Sequence, residues 1–400
     1  MSKQTKRAYR YRFYPTEGQA RQLARTFGCG RFVYNWGLAT RKHAYFQQGK
    51  SLYYSDLAGM LPALKQEYPW LAEVSSVPLQ QALRHLERAF VNFFEGRAQY
   101  PAFKKKRHDQ SATYAANAFA WDGSSLTLAK MDAPLNIQWH RPLPQGAKPS
   151  SVTVSRDSAG RYFVSILVRE DITPLPITPK MVGLDLGLTC FVVTSDGQDI
   201  ASPKYYRKSE KKLVRLQRRH ACKKKGSKNR EKARRKVARV HASISDQRRD
   251  FQHQHSHRIT SENQVICVET LAVKNMLKNP HLSKSIADVG WGEFVRQLGY
   301  KAQWYGRTLV KIDRWFPSSK TCSVCTHVLS ELDLSVREWV CPQCGTHHHR
   351  DHNAAQNVLS EGLSALNACG GDVRPVRPRG RQAVAREAGT SAREGRSPRL

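Results

Sequence analysis

The sequence predicts an α/β chain of several domains, and three observations carry that prediction. Residues 17 to 120 are dominated by helical apolar spacing, while the stretches on either side alternate like strands. A proline-rich segment, ITPLPITPK near residues 172 to 180, then separates two textures. Beyond it, short apolar runs are spaced by long helical ones, the pattern of strands linked by helices.

In the first half, AYRYRFYP alternates aromatic with basic or small residues and predicts one strand. EGQARQLARTFGCGRFVYNWGLATRKHAYFQ has helical spacing with a break expected around Gly28 and Gly30. PLQQALRHLERAFVNFFEG sets Leu79, Leu83, Leu86, Phe90 and Phe93 on one helix face, as core packing requires. YPAFKKKRHDQSATY reads as a basic loop, and residues 116 to 170 return to strands. SSVTVSRDSAGRYFVSILVRE predicts a hairpin turning at Asp157 to Gly160. A first strand separated from its partners by helices predicts a small barrel interrupted by a helical insertion.

In the second half, MVGLDLGLTCFVVTSDGQDI predicts two strands and a turn at Ser195 to Gly197. Residues 204 to 240 form a basic helical run whose acids are Glu210 and Glu231. NQVICVETL is almost wholly apolar, as a buried central strand is. GWGEFVRQLGYKAQWYGRTLVKIDRWFP reads as a helix and a strand, and DHNAAQNVLSEGLSAL as a helix. Residues 370–400, rich in Arg, Gly and Pro, are predicted to be a disordered basic tail.

Charge narrows the partner. Lys and Arg number 66 against 32 Asp and Glu, a formal charge of +34 over 400 residues. Such an excess repels itself unless a polyanion compensates it, and nucleic acid is the natural one. Solubility alone does not require one sign so strongly. The expected phosphate contacts are Lys104, Lys105 and Lys106 in the basic loop and Lys223, Lys224 and Lys225 in the basic helical run. No run of about 20 apolar residues exists to span a membrane. The basic N-terminal stretch lacks the apolar segment of a signal peptide. A cytoplasmic protein with no membrane partner is expected.

Of the nine cysteines, five are scattered, with Cys190 and Cys267 in apolar runs that suit small core residues. The other four form a pattern: Cys322 and Cys325, fifteen intervening residues, then Cys341 and Cys344. Paired two-residue gaps turn four thiolates onto one ion, which predicts structural zinc with no coordination position left for water. His327, His347, His348 and His349 are left out of that shell and read as surface residues beside a nucleic-acid channel.

Three carboxylates complete the reading. Asp185 lies in GLDLG, where the glycines admit another backbone or a phosphate; Glu269 ends the strand VICVE; Asp351 starts a helix. Each alone has an ordinary explanation as turn residue, solvated strand end or helix cap. Together, an acid on a central strand, one ending its neighbour and one on a following helix can converge. Three converging anions call for metal; magnesium prefers carboxylate oxygens, and two such ions suit phosphodiester cleavage.

GLDLG, VICVETL and RDHNAAQN match the three motifs of a RuvC-like nuclease of RNase H-type fold. With cysteine knuckles ahead of the third motif, the chain resembles the TnpB (OrfB) family of insertion sequences. RFVYNWGL, YPAFKKKRHDQSATY, RRDFQHQHSHRIT, LSKSIADVGWGEF and WFPSSKTCSVC extend the likeness from about residue 8 to 370. The resemblance implies a split β-barrel wedge domain over 1–16 and 116–178, with a helical recognition domain over 17–115. It implies a RuvC-like nuclease domain over 179–369 with a zinc-ribbon insertion at about 316–347. It makes Asp185, Glu269 and Asp351 the catalytic acids of two magnesium (or manganese) ions. It further implies an RNA-guided DNA endonuclease, one chain per guide RNA from the transposon end, cutting double-stranded DNA beside a short adjacent motif. One departure is His349, where many relatives carry an acid. A strand-transferring transposase, which usually orders its acids Asp, Asp, Glu, and a non-cleaving nucleic-acid-binding regulator are the alternatives.

Overall fold

The computed structural model describes residues 3–106, 110–333 and 335–368, so the predicted basic tail lies outside the described residues. The chain divides into two compact units. Among the described residues, one comprises those from 3 to 172 with 211–243, the other 173–210 with those from 244 to 368.

In the first unit, β1 (Lys3–Phe13) leads into α1 (Glu17–Gln48), α2 (Tyr54–Gly59), α3 (Leu61–Glu67) and α4 (Ser76–Phe94). Then follow β2 (Gln110–Ala115), β3 (Phe119–Trp121), β4 (Leu126–Leu128), β5 (Ile137–Gln138), β6 (Pro149–Arg156) and β7 (Tyr162–Ile172). Five strands pair in the order β2-β6-β7-β1-β5, with β3-β4 as a separate ribbon. Strand β1 runs antiparallel to β7 from Lys3 opposite Ile172 to Phe13 opposite Tyr162. Its alternation buries Tyr9, Tyr11 and Phe13 in a core shared with Val152, Val154, Val164 and Ile166 and with Leu126 and Leu128 of the ribbon. The opening strand is thus joined to the strands beyond the helical insertion.

Two sequence expectations change here. Helix α1 runs unbroken through Gly28 and Gly30, started by a capping box between Thr16 and Gln19. Residues 110–115, expected in the helical part, form β2 and pair with β6 along their whole length. Ala112 and Tyr114 face the barrel core. The predicted hairpin turns where expected, with the Asp157 N–H donating to Arg161 O.

The second unit opens with β8 (Met181–Asp185), β9 (Cys190–Thr194) and β10 (Asp199–Ala201), followed by the helices α5 (Tyr205–Ala221) and α6 (Lys228–Glu262). Residues 211–243 of those two helices group with the first unit rather than with the predicted nuclease domain. Strand β11 (Val265–Val268), α7 (Val273–Met276), α8 (Ser283–Val289), α9 (Trp291–Tyr305) and β12 (Thr308–Lys311) come next. A two-stranded ribbon, β13 (Glu338–Val340) and β14 (His347–His349), feeds α10 (Arg350–Ala368). The main sheet is ordered β10-β9-β8-β11-β12. Its first three strands are antiparallel, and β11 runs parallel to both β8 and β12. This is the topology of an RNase H-like fold. Strand β11 is apolar throughout because both faces are covered. Ile266 and Val268 pack with Ile259, Phe294 and Leu298 on one side; Val265 and Cys267 pack with Val358 of α10 on the other.

Helix α10 lies unusually close to the sheet. A Cβ on Gly183 would collide with the Ala355 carbonyl oxygen and stand 2.7 Å from the Leu359 nitrogen. A Cβ on Gly362 would collide with the Cys267 sulfur and stand 2.7 Å from its Cβ. Backbone faces strand at Gly183, so no side-chain rotation relieves an added methyl. Gly183→Ala is expected to destabilise the fold by at least about 1–3 kcal/mol, the ordinary cost of overpacking, as read from chemical denaturation. Unchanged stability would show that α10 can lift from the sheet at no cost.

Candidate active site and its cysteine cluster

The sheet places two acids side by side. In the parallel β8–β11 register Val268 stands beside Leu184, so Asp185 and Glu269 leave the sheet at the same edge. The Leu186 N–H donates to Glu269 Oε1 at 3.0 Å and fixes that carboxylate against the turn after β8. Helix α10 starts at Arg350, so Asp351 sits in its first turn, where the helix dipole favours a carboxylate. Burial pushes the Asp185 carboxyl well above the usual range, and the neighbouring Glu269 and Asp351 charges push it further; Arg350 and Arg337 oppose them. Burial likewise raises Glu269 to about 7, against a partial opposing effect of the Leu186 N–H.

Asp351 has a second partner that sequence reasoning missed. Arg337 Nη1, just before β13, donates to both carboxylate oxygens at 3.1 Å. Among the described residues only a cysteine group brings all its ligand atoms within 4.8 Å of one another. The three acids are near enough to feel each other's charge yet less tightly gathered, with Asp351 drawn to Arg337. Oxygen donors with two raised carboxyls suit a hard divalent cation.

The cysteine group is Cys322, Cys325, Cys341 and Cys344. The sulfurs of Cys322 and Cys344 lie 3.6 Å apart and those of Cys325 and Cys341 3.5 Å apart. A tetrahedral ion with about 2.3 Å Zn–S bonds separates its sulfurs by about 3.8 Å, so the spacing fits. The two knuckles share one construction. The N–H after each second cysteine returns to the first, Thr326 to Cys322 O and Gly345 to Cys341 O. Thr326 and Gly345 both have left-handed φ, 64° and 70°. The Cys322 N–H donates to His327 O and the Cys341 N–H to Thr346 O.

The histidines do not all behave as surface residues. His347 and His349 are exposed on β14, but His348 between them is buried. Its Nε2 lies 3.0 Å from Cys322 Sγ and its ring packs on Trp339 at 4.7 Å between centroids. The period of two in β14 turns it inward, a strand signal hidden by three identical residues.

Two asparagines of RDHNAAQN, which no periodic signal marks, tie the cluster to α10. Asn353 Oδ1 accepts the Ser323 N–H at 2.9 Å, and its Nδ2 donates to Thr321 O at 2.7 Å. Asn357 Nδ2 donates to Ser318 O at 2.8 Å and Thr321 O at 2.6 Å. Their four-residue spacing puts both on one helix face, two and six residues beyond Asp351.

The six lysines fall in two separate places. Lys104, Lys105 and Lys106 are all exposed, and the Lys104 ammonium sits 4.1 Å above the Tyr34 ring centroid. Lys223, Lys224 and Lys225 are exposed in the turn between α5 and α6. No helix among the described residues is long and apolar enough to cross a membrane.

One prediction concerns pH. Folded Glu269 keeps its proton to about 7, against an ordinary 4.5 in the open chain. Between those values the folded state holds the extra proton, so stability falls as pH rises through the interval. Glu269→Gln is expected to remove that fall and to stabilise metal-free protein near pH 8 by about 1–3 kcal/mol. Urea unfolding across the interval measures it; an unaltered pH slope assigns the effect elsewhere.

Comparison with known proteins identifies the family and the fold. Residues 163–280 match the OrfB_IS605 family, described as "Probable transposase", and residues 291–358 match a Cas12f1-like TNB domain. A family described as "Helix-turn-helix domain" matches residues 1–50, which fold here as β1 and the single helix α1. A Streptomyces pristinaespiralis protein named "Putative RNA-guided DNA endonuclease" is 52% identical over 94% of both chains. The Escherichia coli K12 protein "Putative RNA-guided DNA endonuclease InsQ" is 32% identical over 93% of this chain and 96% of its own. A Cas12f1 chain, solved in complex with sgRNA and target DNA, shares the fold with a TM-score of 0.55 at 13% identity, covering 89% of this chain and 98% of that one. With two acids at adjacent strand ends, a third on the following helix and full-length relatives of this kind, the chain belongs to the TnpB (OrfB) family of insertion-sequence proteins.

Proposed function

We propose that this chain is an RNA-guided DNA endonuclease that hydrolyses target DNA beside a short adjacent motif, in a centre formed by Asp185, Glu269 and Asp351. The observation that carries the reading is the meeting of Asp185, Glu269 and Asp351 charges at one edge of the RNase H-like sheet. The names of the full-length relatives, and the sgRNA and target DNA bound by the Cas12f1 chain, support an RNA-guided role.

Asp185, Glu269 and Asp351 would hold two magnesium or manganese ions, which supply Lewis acidity and an activated water when bound. The protein's own part is to let the three acids share one place. Arg337 neutralises Asp351, burial favours protonated Asp185 and Glu269, and the Leu186 N–H fixes Glu269 in place. The basic sites at Lys104, Lys105 and Lys106 and at Lys223, Lys224 and Lys225 would face nucleic-acid backbone. The RNA would come from the transposon end, one protein chain per RNA, acting in the cytoplasm. The four cysteines would hold one structural zinc that stiffens the ribbon under α10.

The test uses purified protein, magnesium and plasmids with randomised bases beside a chosen target. RNA from the gene's 3′ flank carries the guide. Cleavage is expected only with RNA, only at the matching site, and the cut moves with the guide. Asp185→Ala is expected to lower cleavage by at least about 1,000-fold while RNA binding persists, since residues acting as a unit fail together. Cutting that ignores the guide would reject the reading. Joining of DNA ends instead of hydrolysis would favour strand transfer, the alternative that the matched family's description suggests.

For zinc, about one ion per chain is expected by elemental analysis. Cys344→Ser is expected to lose it and to lower the melting temperature, because metal-site energy is folding energy. A stable protein containing no zinc would contradict this part.

A further inference from the structure

The helix break expected at Gly28 and Gly30 is absent, which leaves the two glycines without a conformational purpose. Glycine weakens a helix interior relative to alanine. Packing does not demand either residue. A Cβ at Gly30 would meet nothing within 4 Å, and one at Gly28 would meet nothing nearer than an Arg31 guanidinium nitrogen at 3.9 Å. Instead, each glycine opens onto a cavity.

The cavity at Gly28 has a volume of about 750 Å³ and is bordered by Arg25, Arg31, Phe32, Tyr68 and Trp70. That lies within the range of about 300–1,000 Å³ usual for small-ligand sites. Phe32 meets Trp70 edge-on at 4.9 Å and Tyr68 at 5.0 Å between centroids, and Trp70 remains 40% exposed. Packed edge-on against its neighbours, the indole still presents open aromatic surface. The cavity at Gly30 has a volume of about 300 Å³ and is polar and cationic, bordered by Arg31, His85, Lys104, Lys105 and Gln110. Arg31 borders both cavities. Asn35, beside the first cavity, accepts the Lys104 N–H at 2.8 Å and donates to Lys104 O at 3.0 Å. The lysine loop is thereby clipped to the same stretch of α1.

We propose that this stretch of α1 binds one unpaired nucleotide of a nucleic-acid strand, its base against Trp70 and Phe32 and its flanking phosphates along Arg31, Lys104 and Lys105. An aromatic platform beside a cationic track is the general arrangement for holding single strands, because every base has a π-face and every linkage a charge. Glu73, at the cavity rim and paired with Arg25 at 3.1 Å, adds an acceptor for an exocyclic amine. The occupant is an unpaired nucleotide of either RNA or a displaced DNA strand. The site does not rest on the cleavage reading.

Binding is read by fluorescence anisotropy of the full chain without magnesium, so failure here leaves the nuclease reading standing. The probes are labelled oligomers of about twelve nucleotides: uridine, thymidine, and an abasic strand with the same phosphates. Stacking of one base is expected to favour the base-bearing strands by about 5- to 150-fold. Trp70→Ala is expected to abolish that preference while leaving abasic binding and the salt slope unchanged; Trp70→Phe is expected to retain most of it. Gly28→Leu fills the cavity and is expected to lose the preference while melting no lower than the wild type, since leucine is the better helix former. Tighter uridine binding would identify RNA as the occupant, and tighter thymidine binding would identify DNA. Retention of the wild-type preference by Trp70→Ala or by Gly28→Leu would overturn the proposal, as would equal binding of base-bearing and abasic strands by the wild type.

Discussion

The contact on which the second unit depends is one that two glycines make possible. Helix α10 rests its backbone on β8 because position 183 is glycine, and its Gly362 fits against Cys267 on β11. Close packing of this kind sets height with little tolerance, since interiors behave as jigsaws rather than fluids. Asp185 is two residues along β8 from the first contact, and Asp351 is four residues before Ala355 on the helix. The separation between the two carboxylates follows from the seat of the helix. Val358 and its neighbours then seal the sheet face that the seat creates.

The cysteine ribbon extends the same constraint outward. Its second strand, β14, runs directly into α10 with no linker, so any rotation of the ribbon would turn Asp351. Asn353 and Asn357 prevent that rotation by holding the first knuckle at Ser318, Thr321 and Ser323. Buried amides of this type cost stability if their partners are lost, which gives the joint a definite geometry. His348, between the cluster and Trp339, fills the remaining side of the ribbon.

Much of this architecture was legible in the residues because period and spacing are local. Strand β1 alternates, β11 is apolar on both faces, and paired C-x2-C gaps have few other uses. The three acids were readable as candidates, though the sequence could not say that Arg337 would hold one of them. That pairing joins residues fourteen apart across a ribbon and has no periodic signature. The alternation of Ala112 and Tyr114 in β2 was present but lay beside a basic loop that dominated the reading. At Gly28 and Gly30 the local rule for helix breaking lost to the rest of the helix, whose Leu23, Phe27, Val33 and Leu38 are all buried. At His348, three identical residues in a row conceal the strand's inward and outward turns.

The pairing of Arg337 with Asp351 ties the acid to the ribbon as well as to its own helix. Two charge-assisted hydrogen bonds occupy one acceptor site on each oxygen and reduce the negative charge that carboxylate presents elsewhere. The guanidinium adjoins the ribbon and the carboxylate belongs to the helix, so the geometry of the pair depends on how firmly the cysteine cluster holds its strands. A disturbance among the four sulfurs would therefore reach Asp351 by two routes, through the helix that β14 enters and through the arginine beside β13.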